Sequence, residues 1–180
     1  MKKYLFKTER LGIRNWKETD IPPFAKMGQD KAVMEFFPSL LTEEGSINFI
    51  QRMQKQFDKK GYAYLAVDIL ESDEFIGMIG ISDQTYNKDL GDFIDIGWRL
   101  KQSAWGNGYA TEGAKGWLDF AFKEFDIKQI YSVASLLNVN SENVMKKLGL
   151  NKIGEFDHPK IPQEHLKRCC LYRISNPTQR

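Results

Sequence analysis

The sequence predicts a single α/β domain whose sheet is antiparallel in its first half and mixed in its second half. Three strand-like segments follow one another in the middle of the chain, at 62–69, 75–82 and 92–100. Helices and strands then alternate, which is typical of a mixed sheet. No repeat, low-complexity segment or linker divides the 180 residues, so we expect one domain over 1–180 with its core at about 8–175.

Hydrophobic periodicity predicts the elements before this meander. Alternation indicates a first strand at 10–16, which the pair Pro22 and Pro23 separates from helical material. An amphipathic helix is predicted from Thr42 to Asp58 and ends near 59–61. Its apolar positions recur at helical spacing: Ile47, Ile50, Met53 and Phe57.

The second half of the chain reads as loop, helix, strand, helix, strand and strand. The predicted helices lie at 111–125 and 141–148. The predicted strands lie at 129–136, 151–156 and 169–174. This order, after an antiparallel meander, indicates helices packed against a sheet that is no longer purely antiparallel.

Composition excludes several classes of protein. Hydrophobic residues make up 42% and charged residues 28% of the chain, enough apolar material for a sizeable core. The 26 Lys and Arg residues nearly balance the 24 Asp and Glu residues, so we expect no direct nucleic-acid binding. No stretch approaches the ~20 apolar residues that cross a bilayer, and no membrane partner is expected.

The cysteines and histidines indicate a reducing compartment and no metal site. Cys169 and Cys170 are the only cysteines and are adjacent, so a disulfide framework is excluded and a cytoplasmic location is expected. His158 and His165 are isolated from cysteine and acidic partners, so we expect no bound metal.

A glycine loop between a predicted strand and a predicted helix suggests a phosphate site. Gly106 and Gly108 allow backbone N–H groups to turn toward a ligand, and the following helix N-terminus favours an anion. An ordinary strand-to-helix turn explains the same pattern. The loop lacks the P-loop lysine, and Thr111 stands where a dinucleotide-binding loop has its third glycine, which disfavours ATP and NAD.

Several segments together resemble the GNAT superfamily of N-acetyltransferases, in the branch that includes the ribosomal-protein N-terminal acetyltransferases. They are Asp95–Leu100, Trp105–Glu112, Asn138–Ser141 and Lys147–Leu150. The resemblance spans about 11–174 and implies a mixed, mostly antiparallel sheet flanked by helices. Two central strands of that sheet splay apart to admit acetyl-CoA.

The resemblance also implies which residues contact acetyl-CoA. Backbone groups for the pantetheine arm come from Ile96, Gly97, Trp98, Arg99 and Leu100. The pyrophosphate loop is formed by Trp105, Gly106, Asn107, Gly108, Tyr109, Ala110 and Thr111. Further contacts come from Asn138, Ser141 and Lys147. The sequence departs from the family at Ser103, where Gln or Arg is frequent, and at Cys169, where His is common.

Asp95 is the candidate general base. Acetyl transfer requires a neutral amine, and the apolar neighbours Ile94 and Ile96 would raise the pKa of this carboxyl. The family often has Glu at this position. Three alternatives stay open: a solvent-facing carboxylate, a pair with Arg99, and a water relay.

The general acid is less clearly marked. Many family members use a tyrosine at the position of Met145, which has no proton to give. Ser141 is the replacement candidate, although it also suits an ordinary helix N-cap with Gly149 as the matching C-terminal residue. The resemblance further implies the backbone N–H of Trp98 as an oxyanion donor.

The sequence therefore predicts transfer of an acetyl group from acetyl-CoA to a primary amine, by direct attack in a ternary complex. The alternative is a catalytically inactive CoA-binding regulatory module with the same fold. The acceptor stays open among a protein N-terminus, a polyamine, an amino acid and an antibiotic, and the chain is expected to be a monomer or homodimer. Acceptor-pocket or core roles are open for Trp16, Phe24, Phe36 and Phe37.

Overall fold

The three strands predicted in the middle of the chain form an antiparallel meander at the centre of one sheet. The computed structural model describes residues 4–177. In these residues the strands are β1 Phe6–Lys7, β2 Leu11–Arg14, β3 Tyr64–Ile69, β4 Glu74–Gln84, β5 Phe93–Leu100, β6 Gln129–Ser135, β7 Asn151–Asp157 and β8 Arg168–Ser175. The α-helices are α1 Ile21–Gly28, α2 Glu43–Lys60, α3 Tyr109–Glu124, α4 Val139–Lys147 and α5 Glu164–Lys167.

The eight strands of the described part form one sheet in the order β1-β2-β3-β4-β5-β6-β8-β7. Every neighbouring pair is antiparallel except β5 and β6, which are parallel. The predicted mixed, mostly antiparallel sheet is confirmed. The two-residue strand β1 and the one-turn helix α5 were not predicted.

Both ends of helix α2 are marked by residues that typically begin and end helices. The Thr42 side chain accepts a hydrogen bond of 3.0 Å from the backbone N–H of Gly45, which satisfies one free donor at the helix start. Gly61 follows the last turn with φ of 78°, a left-handed conformation that glycine adopts at low cost. Ile50 and Met53 are buried against the sheet. The prediction of an amphipathic helix here is confirmed.

Helices cover both faces of the central strands. On one face, the fully buried Trp117 of α3 donates from its indole nitrogen to the carbonyl of Ile79, at 2.9 Å. On the other face, Phe49 of α2 stacks on Tyr64 with ring centres 6.3 Å apart. Full burial of a large apolar side chain contributes about 2–3 kcal/mol, so these contacts hold the helices at fixed positions on the sheet.

A buried ion-pair cluster fixes helix α1 beside the sheet. The guanidinium of Arg14 on β2 lies 2.6 Å from the Asp20 carboxylate and 2.7 Å from that of Asp68 on β3. All three side chains are buried, so their charges are compensated by one another. Asp20 immediately precedes α1, whose first turn accommodates Pro22 and Pro23 because prolines there remove no helical hydrogen bond.

Gly80 on β4 lies against the backbone of β3 with no room for a side chain. A Cβ atom on Gly80 would lie 2.1 Å from the carbonyl oxygen of Ala63 and 2.5 Å from the Cα of Tyr64. Backbone atoms cannot move away as a side chain can. We therefore expect Gly80→Ala to reduce the free energy of unfolding by about 3 kcal/mol, or about 9 °C in Tm.

The control for this prediction is Gly154→Ala on β7, where no heavy atom lies within 4 Å of the added Cβ. Thermal unfolding of both variants checks the prediction. Equal stability of the two variants would show that the strands separate to accept the methyl group.

Within residues 4–177, no helix combines the length and apolar character needed to cross a membrane.

Candidate active site

Strands β5 and β6 pair only briefly and then separate. Their register contains one pair, Asp95 with Tyr131. The hydroxyl of Ser132 then donates to the carbonyl of Ile96 at 3.1 Å, and no ladder continues beyond it toward Leu100. The predicted splay of two central strands is confirmed, and it leaves a gap at their carboxyl ends.

Strand alternation determines which backbone groups face this gap. The carbonyl of Ile96 points to β6, since Ser132 binds it. Backbone groups of alternate residues share an edge, so the N–H and C=O of Trp98 also point into the gap. Gly97 and Arg99 point to the opposite edge, where β4 pairs with β5. The resemblance implied backbone contacts with acetyl-CoA from every residue of Ile96 to Leu100. The geometry leaves the N–H and C=O of Trp98 and the N–H of Leu100 as the groups that face the gap.

The glycine loop presents a row of backbone donors. Gly106 and Gly108 have φ of 77° and 79°, and Gly108 is the N-cap of α3. The six N–H groups of residues 106–111 have no acceptor within residues 4–177. Because three of them belong to the first turn of α3, the partial positive charge of the helix N-terminus adds to theirs. The loop is therefore suited to an anion.

Side chains on the inner side of the loop hold it open. The indole nitrogen of Trp105 donates to the carbonyl of Leu100 at 2.8 Å. The amide of Asn107 donates to the carbonyl of Trp105 at 3.0 Å. These bonds use side-chain donors rather than the N–H groups of the loop. Trp105 and Asn107 thus position the loop and leave its backbone donors exposed.

The start of α3 is also tied to the β1–β2 turn. Glu112 accepts from the Thr8 hydroxyl at 2.6 Å and pairs with Arg10 at 2.7 Å. The Arg10 guanidinium lies 4.7 Å from the centre of the Tyr109 ring, next to the loop. Ser103, by contrast, is exposed on the short 3₁₀ turn before the loop. A positive side chain beside the loop therefore comes from the turn that precedes β2, which the sequence did not indicate.

Asn138, not Ser141, is the N-cap of α4. The Asn138 side-chain oxygen accepts from the backbone N–H of Ser141 at 3.0 Å. The alternative that made Ser141 the N-cap is wrong, because its backbone is already in the first helical turn. The predicted C-terminal role of Gly149 is confirmed by its φ of 79°. Within residues 4–177, the Ser141 hydroxyl makes no hydrogen bond.

The ends of α4 differ in their distance from the gap. Asn138 and Ser141 lie at the start of α4, directly after β6 leaves β5. Lys147 is the last residue of α4 and is exposed, about 13–14 Å along the helix from Asn138. Met145 is buried with 1% exposure and supplies no proton donor.

Asp95 is buried and bound by two neutral donors. Its Oδ1 accepts hydrogen bonds from the Tyr64 hydroxyl and, at 3.2 Å, from the Gln84 amide. Burial raises the pKa of Asp95 to about 7, against the lowering effect of these two donors. Asp95 is only 8% exposed, and Arg99 makes no ion pair with it. Two alternatives, the solvent-facing carboxylate and the pair with Arg99, are therefore wrong.

Two glycines let Tyr64 reach Asp95 across the sheet. Tyr64 on β3 stands opposite Gly80 on β4, which stands opposite Gly97 on β5. A Cβ on Gly97 would lie 3.2 Å from the Tyr64 ring. With no side chains beneath it, the ring lies over both strands and its hydroxyl meets the carboxylate of Asp95.

A cavity of about 320 Å³ lies between α2 and the sheet, beside Tyr64 and Gln84, which bind Asp95. Its lining residues are Phe49, Arg52, Met53, Gln56, Tyr64, Ser82, Asp83 and Gln84. Tyr64 and Gln84 therefore face the cavity and bind Asp95 at the same time. None of the aromatic residues considered from the sequence lines this cavity: Trp16 and Phe24 are core residues, and Phe37 packs partly buried against the same core. Phe24 nevertheless contacts the cavity-lining Phe49, with ring centres 5.3 Å apart.

Comparison with known proteins agrees with this geometry. A sequence profile of the family described as the acetyltransferase (GNAT) domain matches residues 10–151. The chain is 29% identical over 151 residues to an uncharacterized N-acetyltransferase, YnaD, of Bacillus subtilis, which covers 83% of this chain and 84% of that protein.

Solved structures show the same fold. A GNAT-family acetyltransferase from Bacillus anthracis superposes with a TM-score of 0.77 at 26% identity, over 94% of this chain and 97% of that chain. The ribosomal-protein-S5-alanine acetyltransferase from Vibrio fischeri superposes with a TM-score of 0.78 at 19% identity, over 97% of this chain and 98% of that chain. At this identity, the second likeness concerns the fold alone.

Proposed function

The chain belongs to the GNAT acetyltransferase family and is an N-acetyltransferase, and we propose that it moves an acetyl group from acetyl-CoA to a primary amine by direct attack in a ternary complex. The family resemblance drawn from the motifs is confirmed. The observation that carries the proposal is the row of six N–H groups at 106–111, unpaired within the described residues, next to the gap between β5 and β6.

Acetyl-CoA fits this arrangement from its pyrophosphate to its thioester. The loop donors suit the two phosphates, and the exposed Arg10 adds a positive charge beside them. The C=O of Trp98 and the N–H of Leu100 suit the amide groups of the pantetheine arm, which leaves the N–H of Trp98 for the thioester carbonyl. The free amide nitrogen of Asn138 and the Ser141 hydroxyl lie at the start of α4, on the β6 side of the gap. Lys147 would contact acetyl-CoA only at its outer end.

Asp95 and Tyr64 supply the base. The acceptor enters as an ammonium ion, and its proton passes to the Tyr64 oxygen while Tyr64 passes its own proton to Asp95. The carboxyl then releases this proton to solvent. A pKa of about 7 suits this task, since the carboxylate is ionised at neutral pH and still basic enough to accept a proton. The free amine attacks the thioester carbonyl.

The Trp98 N–H and the Ser141 hydroxyl serve the second half of the reaction. The new C–N bond places negative charge on the carbonyl oxygen, which the Trp98 N–H stabilises. The C–S bond then breaks, and the CoA thiolate takes the Ser141 proton. Ser141 recovers a proton from the acetylated nitrogen through water. The products are the N-acetyl amine and CoA.

The Tyr64→Phe variant tests the link between Tyr64 and Asp95. The Tyr64 hydrogen bond lowers the pKa of Asp95, so its loss raises this pKa above about 7. Because Asp95 acts when ionised, we expect the rising limb of kcat/KM against pH to move to higher pH. A pH-rate profile measures it, and an unmoved limb would show that the Tyr64 hydroxyl does not influence the base.

Release of the CoA thiol tests the proposed function. Acetyl-CoA is incubated with the chain and a mixture of amino acids, polyamines and peptides with a free N-terminus. The masses of the amines are then measured by mass spectrometry. We expect thiol release that depends on the amine and a gain of one acetyl group on a primary amine. Acetyl-CoA binding without acetylation of any amine would instead support the inactive CoA-binding module.

A cytoplasmic location and a monomer or homodimer remain predictions from the sequence.

A further inference from the structure

Arg99 carries a positive charge that no residue of the described part neutralises. It lies on β5 four residues after Asp95, so both side chains are on the same face of the sheet. Its guanidinium carbon lies 4.1 Å from the centre of the Phe37 ring and 5.9 Å from those of Phe24 and Phe49. Within residues 4–177 it has no carboxylate partner, and its Nε is buried without a hydrogen-bond partner.

The three rings do not compensate for this burial. Cation–π attraction is weaker than the loss of hydration that a partly buried, unpaired charge suffers. Arg14 shows the ordinary solution in the same sheet, with two carboxylates on one guanidinium. Burial lowers the pKa of Arg99 to about 10, so it stays positively charged at neutral pH. An anion from outside the chain would complete the site.

The neighbouring cavity is also positive. Arg52 lines it without an ion pair in the described residues, and its guanidinium lies 5.9 Å from the Phe49 ring that Arg99 also approaches. Of the two nearby carboxylates, Asp83 is paired with Lys60 and accepts from Tyr62 at 2.9 Å. Asp95 is enclosed by Tyr64 and Gln84. The unpaired positive charge is therefore carried by Arg52 and Arg99, and Asp95, with its two neutral donors, carries the negative charge that faces the amine.

We infer, on the premise of the proposed function, that the acceptor is an amine that also bears a carboxylate, which pairs with Arg99 while its amine reaches Tyr64 and Asp95. Four residues of strand span about 13 Å between the Cα atoms of Arg99 and Asp95. The Phe49 ring centre lies 5.9 Å from the Arg99 guanidinium and 6.3 Å from the Tyr64 ring centre, so both groups reach the same ring and a compact amino acid fits between them. A polyamine meets like charge at Arg52 and Arg99.

A comparison of acids with their amides tests this inference. L-amino acids, the corresponding amino acid amides and spermidine are each assayed with saturating acetyl-CoA. We expect at least one amino acid to be acetylated with a kcat/KM at least ~10-fold above that of its amide. In Arg99→Met, which keeps an unbranched apolar stem but removes the guanidinium, this preference falls to within about 2-fold. Arg173→Met on β8, an exposed arginine without an ion pair in residues 4–177, retains it.

Two further measurements separate the outcomes. The thermal shift of Arg99→Met with acetyl-CoA shows that the variant is folded, and Arg99→Lys, which keeps the charge, is expected to retain part of the acid preference. Three results would each overturn the inference. They are a preference for amides or spermidine, no acetylation of any amino acid, and an unchanged acid preference in Arg99→Met. Failure of the proposed function is a different result: no acetyl-CoA binding, or no acetylation of any amine.

Discussion

Replacement of Asp95 by asparagine is expected to lower kcat by roughly 10²- to 10⁴-fold, the usual contribution of a positioned general base. The asparagine side chain would still accept the Tyr64 hydrogen bond, so the fold and the cavity should persist. It cannot accept the proton of the ammonium ion. The affinity for acetyl-CoA, measured by calorimetry, should stay within about 2-fold, because the Asp95 carboxylate is held by Tyr64 and Gln84 and not by the glycine loop.

The dependence of kcat/KM on pH shows whether the loss of activity comes from the loss of the general base. Wild-type kcat/KM should rise with pH through about 7, as Asp95 loses its proton, and then level off. In Asp95→Asn this limb should disappear. Asp119→Asn, which removes an exposed carboxylate on α3 paired with Lys115, should leave kcat and the limb unchanged. A full limb at about 7 in Asp95→Asn would assign it to another group.

Removal of one backbone donor from the glycine loop is expected to weaken acetyl-CoA binding by roughly 10- to 100-fold. Ala110→Pro deletes one N–H at the second position of α3, where proline is compatible with the helix. A hydrogen bond to a charged group contributes about 1.5–3 kcal/mol, which corresponds to this loss of affinity. Calorimetric titration of acetyl-CoA measures it.

Glu44→Pro is the matched control, since it places proline at the second position of α2, remote from the loop. Its acetyl-CoA affinity should equal that of the wild type, and the Tm values of the two proline variants should be similar. Unchanged affinity in Ala110→Pro would show that the phosphates bind elsewhere.

The helices and strands with a clear hydrophobic periodicity were predictable from the sequence. The strands at β3, β4 and β5 and the helix α2 agree within two residues with their predicted limits. β1 was missed because two residues carry no alternation, and its pairing depends on contact with Ile13. Helix α5 has a single turn, too short for a hydrophobic period.

The candidate site was only partly predictable. The glycine loop precedes α3 and Asp95 lies on β5, as the sequence predicted, whereas the sequence left open whether Asp95 is buried. The partners of Asp95 depend on strand register, since Tyr64 is 31 residues and Gln84 11 residues away in the chain. Single-sequence patterns do not give this register.

The contacts of the Arg99 side chain were likewise not predictable from the sequence. Its position in the sequence suggested backbone contact with acetyl-CoA or a pair with Asp95. The tertiary contacts of its side chain with Phe24, Phe37 and Phe49 come from three separate parts of the chain. The N-cap of α4 shows the same limit at short range, because Asn138 and Ser141 are both suitable caps and only the backbone conformation distinguishes them.

The most direct test is thermal unfolding of the wild-type chain with acetyl-CoA, with ATP and NADH as controls. At about 100 times its dissociation constant, acetyl-CoA should stabilise the chain by about 2.7 kcal/mol, a shift of several degrees. ATP and NADH should give no comparable shift, because the loop lacks the features that bind them. No shift with acetyl-CoA, or an equal shift with ATP, would contradict the assignment of the loop and gap to acetyl-CoA.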